Sequence, residues 1–519
     1  MIASILAMAT GLMTAVADVG EWVAPTIDFH ALAPELILVL GINLVLFIDL
    51  SLDEGRKWAM ASLSGVVLLA AFIPLVTLAL SDSGPRSMFD GRYVVDGYAL
   101  ILKAIFLLVA YVVILMSQTE LEEGGYYQGE FYVLMLCSVL GMVMMASARD
   151  LVSIFVALEL LSIPAYMMAA WRKRDSRSNE AGVKYYILGV FASAILLYGM
   201  SFLFGTTGTT KLTDIGASLA STELSGMQVL AIVFIIGGLA FKVSAVPFHS
   251  WAPDTYQGAP TPVTAFLSVA SKAAGFVALM SIMFLAVLPA ARAAEVAEPM
   301  LWVLAALTMT VGNLVALRQT NIVRMLAYSS VSQGGFILMP LAVASTGAAG
   351  DSAMRAVIVY LLIYAFMNLG AFSVVIAVAR RTRSGEISSF GGLFGYAPGL
   401  AVLTTVFFAS LAGIPPLGGW VAKFNVFKTV IDAGSTSAYV LALIGAVNTV
   451  IAAAYYMRVL RQVWMAPAPD GDTAPVKVPA PIGAALGITA IGTLVLGVLP
   501  GLVLRFGDLQ DLTGAAIGR

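Results

Sequence analysis

A chain of 519 residues that is 60% hydrophobic and 11% charged, with mean hydropathy +0.94, lies far from a soluble domain, which is roughly 45–50% apolar and 25% charged. That composition defines an integral membrane protein, and apolar runs of about 20 residues fit spanning helices better than the alternating strands of a β-barrel. A formal net charge of −2 argues against a nucleic-acid role, and one cysteine with two histidines leaves no internal disulfide and no haem, zinc or iron–sulfur site of recognisable spacing.

Residues 2–17 form a short apolar stretch ending Ala15-Val16-Ala17. It lacks a basic leading region, so it reads as an uncleaved extension over residues 1–30. Fourteen spans are then predicted: 33–50, 57–80, 93–116, 130–147, 150–171, 181–204, 226–248, 260–288, 299–318, 322–343, 354–380, 399–432, 438–464 and 482–505. Trp58, Trp171, Trp302 and Trp464 fall near span ends, where an aromatic belt would place them. Fourteen lysines and arginines lie in or beside the loops after odd-numbered spans, against six after even-numbered ones. The positive-inside rule then puts the odd loops in the cytoplasm and both termini outside.

Six of the ten lysines, Lys103, Lys184, Lys242, Lys272, Lys423 and Lys428, lie inside these runs, whereas most arginines lie between them. A charged side chain near the bilayer centre costs about 2.5–3.5 kcal/mol on insertion scales. A buried lysine can release its proton and an arginine effectively cannot, so the pattern suggests proton-exchanging groups, with snorkelling and structural ion pairs as the plainer account.

The seventh and twelfth spans are interrupted. One carries Gly237-Gly238 before Lys242 and Pro247 after it; the other carries Gly413, Pro415 and Pro416 before Lys423. Proline removes a helix donor, and unwound backbone at membrane depth survives only beside protein or a hydrated cavity. A Gly/Pro break with a lysine in each half is the pattern of an inverted-repeat transporter. The repeats would be spans four to eight (130–298) and nine to thirteen (299–465), preceded by three spans (31–129) and followed by a loop and last span (466–519).

Glu159, in the middle of the fifth span, needs a partner, and Lys242 is the candidate. His249 is seven positions beyond Lys242 and would share its face if the helix resumed past Pro247. Thr261, Thr264, Ser268 and Lys272 form a stripe that could order water toward the lysine, or simply bond neighbouring helices. Asp96 and Lys103, seven apart, read as a structural pair. Lys184 could snorkel, and Lys428, five beyond Lys423, faces elsewhere.

The run from Lys242 through Pro247, His249, Trp251, Asp254, Pro260, Pro262 and Thr264 to Lys272 closely resembles the signature of the antiporter-like membrane subunits of respiratory complex I, specifically its subunit N branch. Arg324-Met325-Leu326-Ala327-Tyr328-Ser329-Ser330 and Leu411-Ala412-Gly413-Ile414-Pro415-Pro416-Leu417-Gly418-Gly419 extend the likeness, which covers about residues 30–505. The resemblance implies an all-α protein of fourteen helices with two inverted five-helix repeats. It implies that Glu159, Lys184, Lys242, Lys272 and Lys423 transfer protons, with His249, Thr264, Ser268 and Gln333 as accessories. Gln333 stands where many relatives carry a histidine, and Val323 where a lysine is common. A glutamine can orient water but cannot carry a proton at neutral pH.

The function so implied is a proton-translocating subunit of a translocase in a bacterial inner membrane, with no redox centre of its own. FMN, iron–sulfur clusters and quinone would belong to partner subunits, and the neighbours would be K-type and M-type membrane subunits and lipid. The alternatives are a subunit of a multi-subunit cation/proton antiporter or membrane-bound hydrogenase of the same fold, and a structural scaffold.

Overall fold

The computed structural model describes residues 25–507, apart from short stretches at 54–55, 82–83, 125–127, 222, 346–348 and 472. Most of the extension expected over residues 1–30, including Ala15-Val16-Ala17, lies outside the described residues. Helices come in the order α1 (Ala33–Ser51), α2 (Ala59–Leu80), α3 (Gly97–Gly124), α4 (Gln128–Ser147), α5 (Leu151–Ala169), α6 (Ser176–Thr207), the short α7 (Leu212–Ser221), α8 (Gly226–Lys242) and α9 (Trp251–Gly258). They continue with α10 (Thr261–Val287), α11 (Ala291–Ala316), α12 (Ile322–Leu341), α13 (Ala349–Thr382), α14 (Pro398–Ala412), α15 (Gly418–Asp432), α16 (Thr436–Met465), α17 (Ala480–Val498) and α18 (Pro500–Gly507). Eleven of these are long and apolar enough to cross a membrane. The expected seventh span is reduced to the 17 residues of α8, and the twelfth is divided into α14 and α15, of 15 residues each.

Helix starts follow their caps. Asp150 accepts the amides of Val152 and Ser153 at the head of α5, Asn321 those of Val323 and Arg324 at α12, and Ser225 with Gln228 forms a capping box at α8. The all-α expectation needs one amendment. Arg86–Met88 (β1) and Tyr93–Val95 (β2) form an antiparallel hairpin, with Met88 opposite Tyr93, so the third helix begins at Gly97 rather than at 93. Its far end extends to Gly124 because Glu120 and Glu123 find partners there in Arg172 and Arg380.

The buried centre of the bundle is α10, whose apolar window is wholly enclosed, with α13 beside it. α10 is not one regular helix. Leu267–Ser271 and Met283–Val287 are π-turns, each of which adds a residue to its turn and rotates the rest of the helix about its axis. The aromatic belt is partial. Trp58 and Trp464 are exposed, but Trp171 is buried edge-on to Phe131 at 5.3 Å, and Trp302 donates to the Ser437 carbonyl.

Both interrupted helices are as broken as the glycines and prolines suggested. After Lys242 the chain turns through Ser244 at φ +57°, and after Ala412 through Gly413 at φ +89°. Val246–Pro247 and Pro415–Pro416 are cis peptides. A Cβ at Gly413 would need the left-handed backbone and would lie 2.9 Å from Lys423 Cδ. Gly413→Ala is therefore expected to destabilise the protein by about 1–3 kcal/mol. An unchanged thermal midpoint in the purified membrane complex would refute this.

Candidate functional site: a buried lysine row

Four lysines are buried among the described residues, Lys103, Lys242, Lys272 and Lys423, and the last three form a row. Lys242, Lys272 and Lys423 are each 3% exposed or less. Among the described residues none of the three is salt-bridged to a carboxylate, and their hydrogen-bond partners are neutral oxygens. Lys242 Nζ donates to Ser162 Oγ at 2.8 Å. Lys272 Nζ donates to both the carbonyl and the hydroxyl of Ser330, each at 2.6 Å. Lys423 Nζ donates to the carbonyls of Leu411 (3.3 Å) and Ala412 (3.0 Å) and lies 5.0 Å from the centroid of the Phe336 ring.

The half-helices explain two of these placements. Lys242 is the last residue of α8, at the negative end of that helix. Lys423 is on α15, after its break, yet its ammonium reaches back to the last carbonyls of α14. The two lysines thus occupy the same electrostatic position, a half-helix C-terminus, although one precedes its break and the other follows it. Room for Lys242 comes from Gly275 on α10, where a Cβ would approach Lys242 Cγ to 2.9 Å.

The direct Glu159–Lys242 ion pair expected from the sequence is not formed. Ser162, one turn beyond Glu159 on α5, accepts from the ammonium instead and donates its own hydroxyl to the Leu158 carbonyl. Glu159 remains within Coulombic range of Lys242, and its Oε1 is buried without a hydrogen-bond partner. A narrow cleft lined by Ser162, Tyr166, Ser193 and Lys242 opens between α5, α6 and α8.

Between Lys272 and Lys423 runs a chain of polar groups that the sequence did not disclose. Ser329, beside the Ser330 that holds Lys272, is 2.5 Å from the hydroxyl of Tyr456 on α16. Gln333 Nε2 donates to that hydroxyl and to the Leu411 carbonyl, each at 3.2 Å, and Gln333 Oε1 accepts from Tyr360. Leu411 O in turn accepts from Lys423. The only sequence signal for Tyr456 is a Tyr455-Tyr456 pair in an apolar span, which reads equally well as packing.

Other expectations need correction. The Thr264 hydroxyl donates to the Tyr256 carbonyl and that of Ser268 to the Ala265 carbonyl, while Asn368 Nδ2 donates to Ser268 Oγ at 2.8 Å. The π-turn after Phe266 ends the regular spacing on which the stripe to Lys272 was read. His249 does not share a helical face with Lys242, because the helix stops and the chain turns at Ser244. Its ring lies beside that of Tyr328, and burial pushes the imidazole below its usual value against the opposing effect of the Pro247 backbone. Lys103 pairs not with Asp96 but with Glu35 at 2.6 Å, and Asp96 binds Arg149 at 2.9 Å. Seven residues of helix separate such groups by about 10 Å, too far for a direct bond. Lys428 pairs with Asp432 at the exposed surface.

Lys184 lies outside the buried row, with about two-fifths of its side chain exposed. It bonds Glu180 and, at 2.9 Å, Asp254 on α9. Arg324 at the start of α12 binds the other Asp254 oxygen at 2.8 Å and also Gln257. Asp254 therefore ties α6 to α12 across the segment that follows the α8 break.

This arrangement, a helical bundle with two broken helices and buried lysines held by neutral oxygens, defines the antiporter-like class of membrane proteins. The family model described as NADH:quinone oxidoreductase/Mrp antiporter, TM, matches residues 148–452. The NADH-quinone oxidoreductase subunit N 1 of Koribacter versatilis is 41% identical over 490 residues, covering 92% of this chain and 94% of that protein. Respiratory complex I from Thermus thermophilus with bound aureothin contains a chain 32% identical, with a TM-score of 0.74, covering 91% of this chain and 98% of that one. A chain of the archaeal membrane-bound sulfane sulfur reductase, at 22% identity and a TM-score of 0.82, shares the fold. The chain belongs to the subunit N family of NADH–quinone oxidoreductases.

Burial raises the Asp254 carboxyl, but the hydrogen bonds and charges of Lys184 and Arg324 outweigh it and hold the group below the usual carboxylate range. A carboxyl lowered in this way stabilises the fold above its unfolded value, and the contribution disappears only as acid carries the pH down through the lowered one. The tie is thus complete at neutral pH. Asp254→Asn, which removes the charge there, is expected to cost on the order of 1 kcal/mol, the scale of partly exposed pairs. Thermal unfolding of the complex at neutral pH tests this, and no loss would mean that the tie carries no stability.

Proposed function

We propose that this chain is a proton-translocating membrane-arm subunit of an NADH–quinone oxidoreductase, coupled to quinone reduction in other subunits, and that Glu159, Lys242, Lys272 and Lys423 carry or steer the protons. The observation behind this reading is the row of enclosed lysines with neutral partners, together with a hydrogen-bonded chain of Ser329, Tyr456, Gln333 and Leu411 O that ends at Lys423 and starts one residue from the Ser330 that holds Lys272. A lysine among carbonyls and hydroxyls can exist with or without its extra proton. Glu159, close to Lys242 without being bonded to it, can alter that lysine's proton affinity as its own charge or distance changes. Gln333 has no proton to exchange at neutral pH, but its amide fixes the hydroxyls around it.

Taking α8, α12 and the α14–α15 pair as crossings beside the eleven long helices supports a reading of fourteen spans. They divide into three leading spans, repeats over 130–298 and 299–465 in inverted relation, and a last span. The contacts Arg172–Glu120, Arg380–Glu123 and Arg324–Asp254 gather the basic loops at one end of the bundle. We assign that end to the cytoplasm, with both termini on the far side, in the inner membrane of a bacterium. Protons would enter near Lys184 and Asp254, reach Lys242 or Lys272, pass to Lys423 and leave on the opposite side. His249, Thr264 and Ser268 line the approach. FMN, iron–sulfur clusters and quinone would reside on partners, with K-type and M-type membrane subunits as neighbours.

Each proton moved against 100 mV costs about 2.3 kcal/mol, so the chain of groups must change affinity by more than one pKa unit, 1.36 kcal/mol, during turnover. Lys242→Ala, Lys423→Ala and Glu159→Gln are each expected to reduce NADH-driven proton uptake into vesicles severalfold at normal assembly. Pumping at the full rate in an assembled Lys242→Ala complex would remove that lysine from the path.

A further inference from the structure

A second cluster of buried titratable groups lies outside both proposed repeats, under the β1–β2 hairpin. Lys103 on α3 is fully enclosed, and Glu35, in the first turn of α1, is 7% exposed. Lys103 Nζ lies 2.6 Å from Glu35 Oε1, and Tyr93 on β2 donates its hydroxyl to the same oxygen at 2.5 Å. Both donors therefore crowd one carboxylate oxygen. The other, Oε2, is buried with no hydrogen-bond partner among the described residues. The ammonium also lies 5.5 Å from the Tyr93 ring centroid.

The ion pair next to it shows what a permanent buried pair looks like in this protein. Arg149 gives hydrogen bonds to Asp96 Oδ2 and to the carbonyls of Ala146 and Ala148, while Asp96 Oδ1 accepts the amide of Ala99. Both Asp96 oxygens are engaged, and the cation cannot lose its proton. A buried pair stabilises only when its remaining lone pairs and protons are also satisfied. Glu35–Lys103 fails that condition at Oε2 and uses a cation that can release its proton.

We propose that Glu35, Lys103 and Tyr93 form a protonation site, distinct from the lysine row, that takes up and releases one proton during turnover at the hairpin end of the bundle. The proton adds at Glu35 Oε2, converting carboxylate and ammonium into carboxylic acid and ammonium, and its departure restores the ion pair. Transfer along the 2.6 Å contact from Nζ to Oε1 gives the neutral pair without change of net charge. Among the described residues, the other titratable and charged groups facing the cluster are Asp96 and Arg149, whose opposite charges are mutually paired. Tyr93, on the hairpin, and Glu35, two residues inside the start of α1, put the site next to the bundle end. None of the three lysines of the row takes part, so the site stands even if their assignment fails.

The test is infrared difference spectroscopy of the intact complex on reduction by NADH. The wild type is expected to show a carboxylic-acid C=O band that is lost in Glu35→Gln and shifted in Tyr93→Phe, which removes one hydrogen bond from the same oxygen. A spectrum unaltered by Glu35→Gln would overturn the proposal and leave a fixed ion pair. If Glu35→Gln prevents assembly, Tyr93→Phe decides the matter, because it keeps the carboxylate–ammonium contact. Absence of any band sensitive to it would equally overturn the assignment.

Discussion

An ammonium group enclosed by protein must be matched by something, and the match chosen here governs the rest of the structure. Desolvating a charge costs several kcal/mol even after relaxation, and a carboxylate at hydrogen-bonding distance is the usual remedy. Lys242, Lys272 and Lys423 have hydroxyls and main-chain carbonyls instead. Carbonyl oxygen is available inside a membrane bundle chiefly where a helix has ended, because elsewhere it is committed to the next turn. The break at Gly413–Leu417 is therefore what allows Lys423 to be buried as it is, whereas Lys242, at the end of α8, is met by the Ser162 hydroxyl on the intact α5. Lys272 also uses an intact helix, borrowing the Ser330 carbonyl together with its hydroxyl.

This constraint also separates the two readings of the buried charges. A scaffold that used charge only to fix packing would be expected to match each cation with an anion, as the protein does for Arg149 with Asp96 and for Arg92 with Asp150. Those pairs employ arginine, which keeps its proton, and each carboxylate is further bonded to main-chain amides. The lysine row follows the opposite plan. Neutral partners leave each amine without a carboxylate at hydrogen-bonding distance among the described residues, Glu159 acting on Lys242 only through space, and the polar chain through Tyr456 and Gln333 runs from beside the Lys272 site to Lys423.

Much of this was legible in the residues because glycine, proline and lysine leave strong marks in apolar sequence. The breaks fell beside Pro247, Gly413 and Pro415-Pro416, and the lysines beside them proved to be enclosed, whereas Gly237-Gly238 stayed helical within α8, with Gly238 packed against Leu196 of α6. Partners brought from distant parts of the chain could not be read. Ser162, not Glu159, holds Lys242, since a one-turn difference along α5 decides which side chain meets α8. The Lys103–Glu35 bond spans 68 positions of sequence, whereas the Asp96 chosen from α3 spacing was about two turns away. The stripe from Thr264 to Lys272 assumed a uniform helix, and the π-turn at Leu267–Ser271 makes it a rotated one.

The π-turns have a consequence for how the central lysine can work. In α10 the wider turn lies immediately before Lys272, and a π-turn leaves main-chain groups less rigidly paired than an α-turn. A one-residue change of register there would swing Lys272 around the helix axis by roughly 100°, the angular step of a 3.6-residue turn. In this structure the ammonium points to Ser330 on α12, toward the proposed second repeat. Gly275, nearly one turn further along α10, is where a Cβ would meet Lys242 Cγ at 2.9 Å, so the same helix that carries Lys272 also packs against the first lysine of the row. With α10 wholly enclosed, the geometry of that one turn, rather than the position of the helix, sets which neighbour the Lys272 ammonium meets.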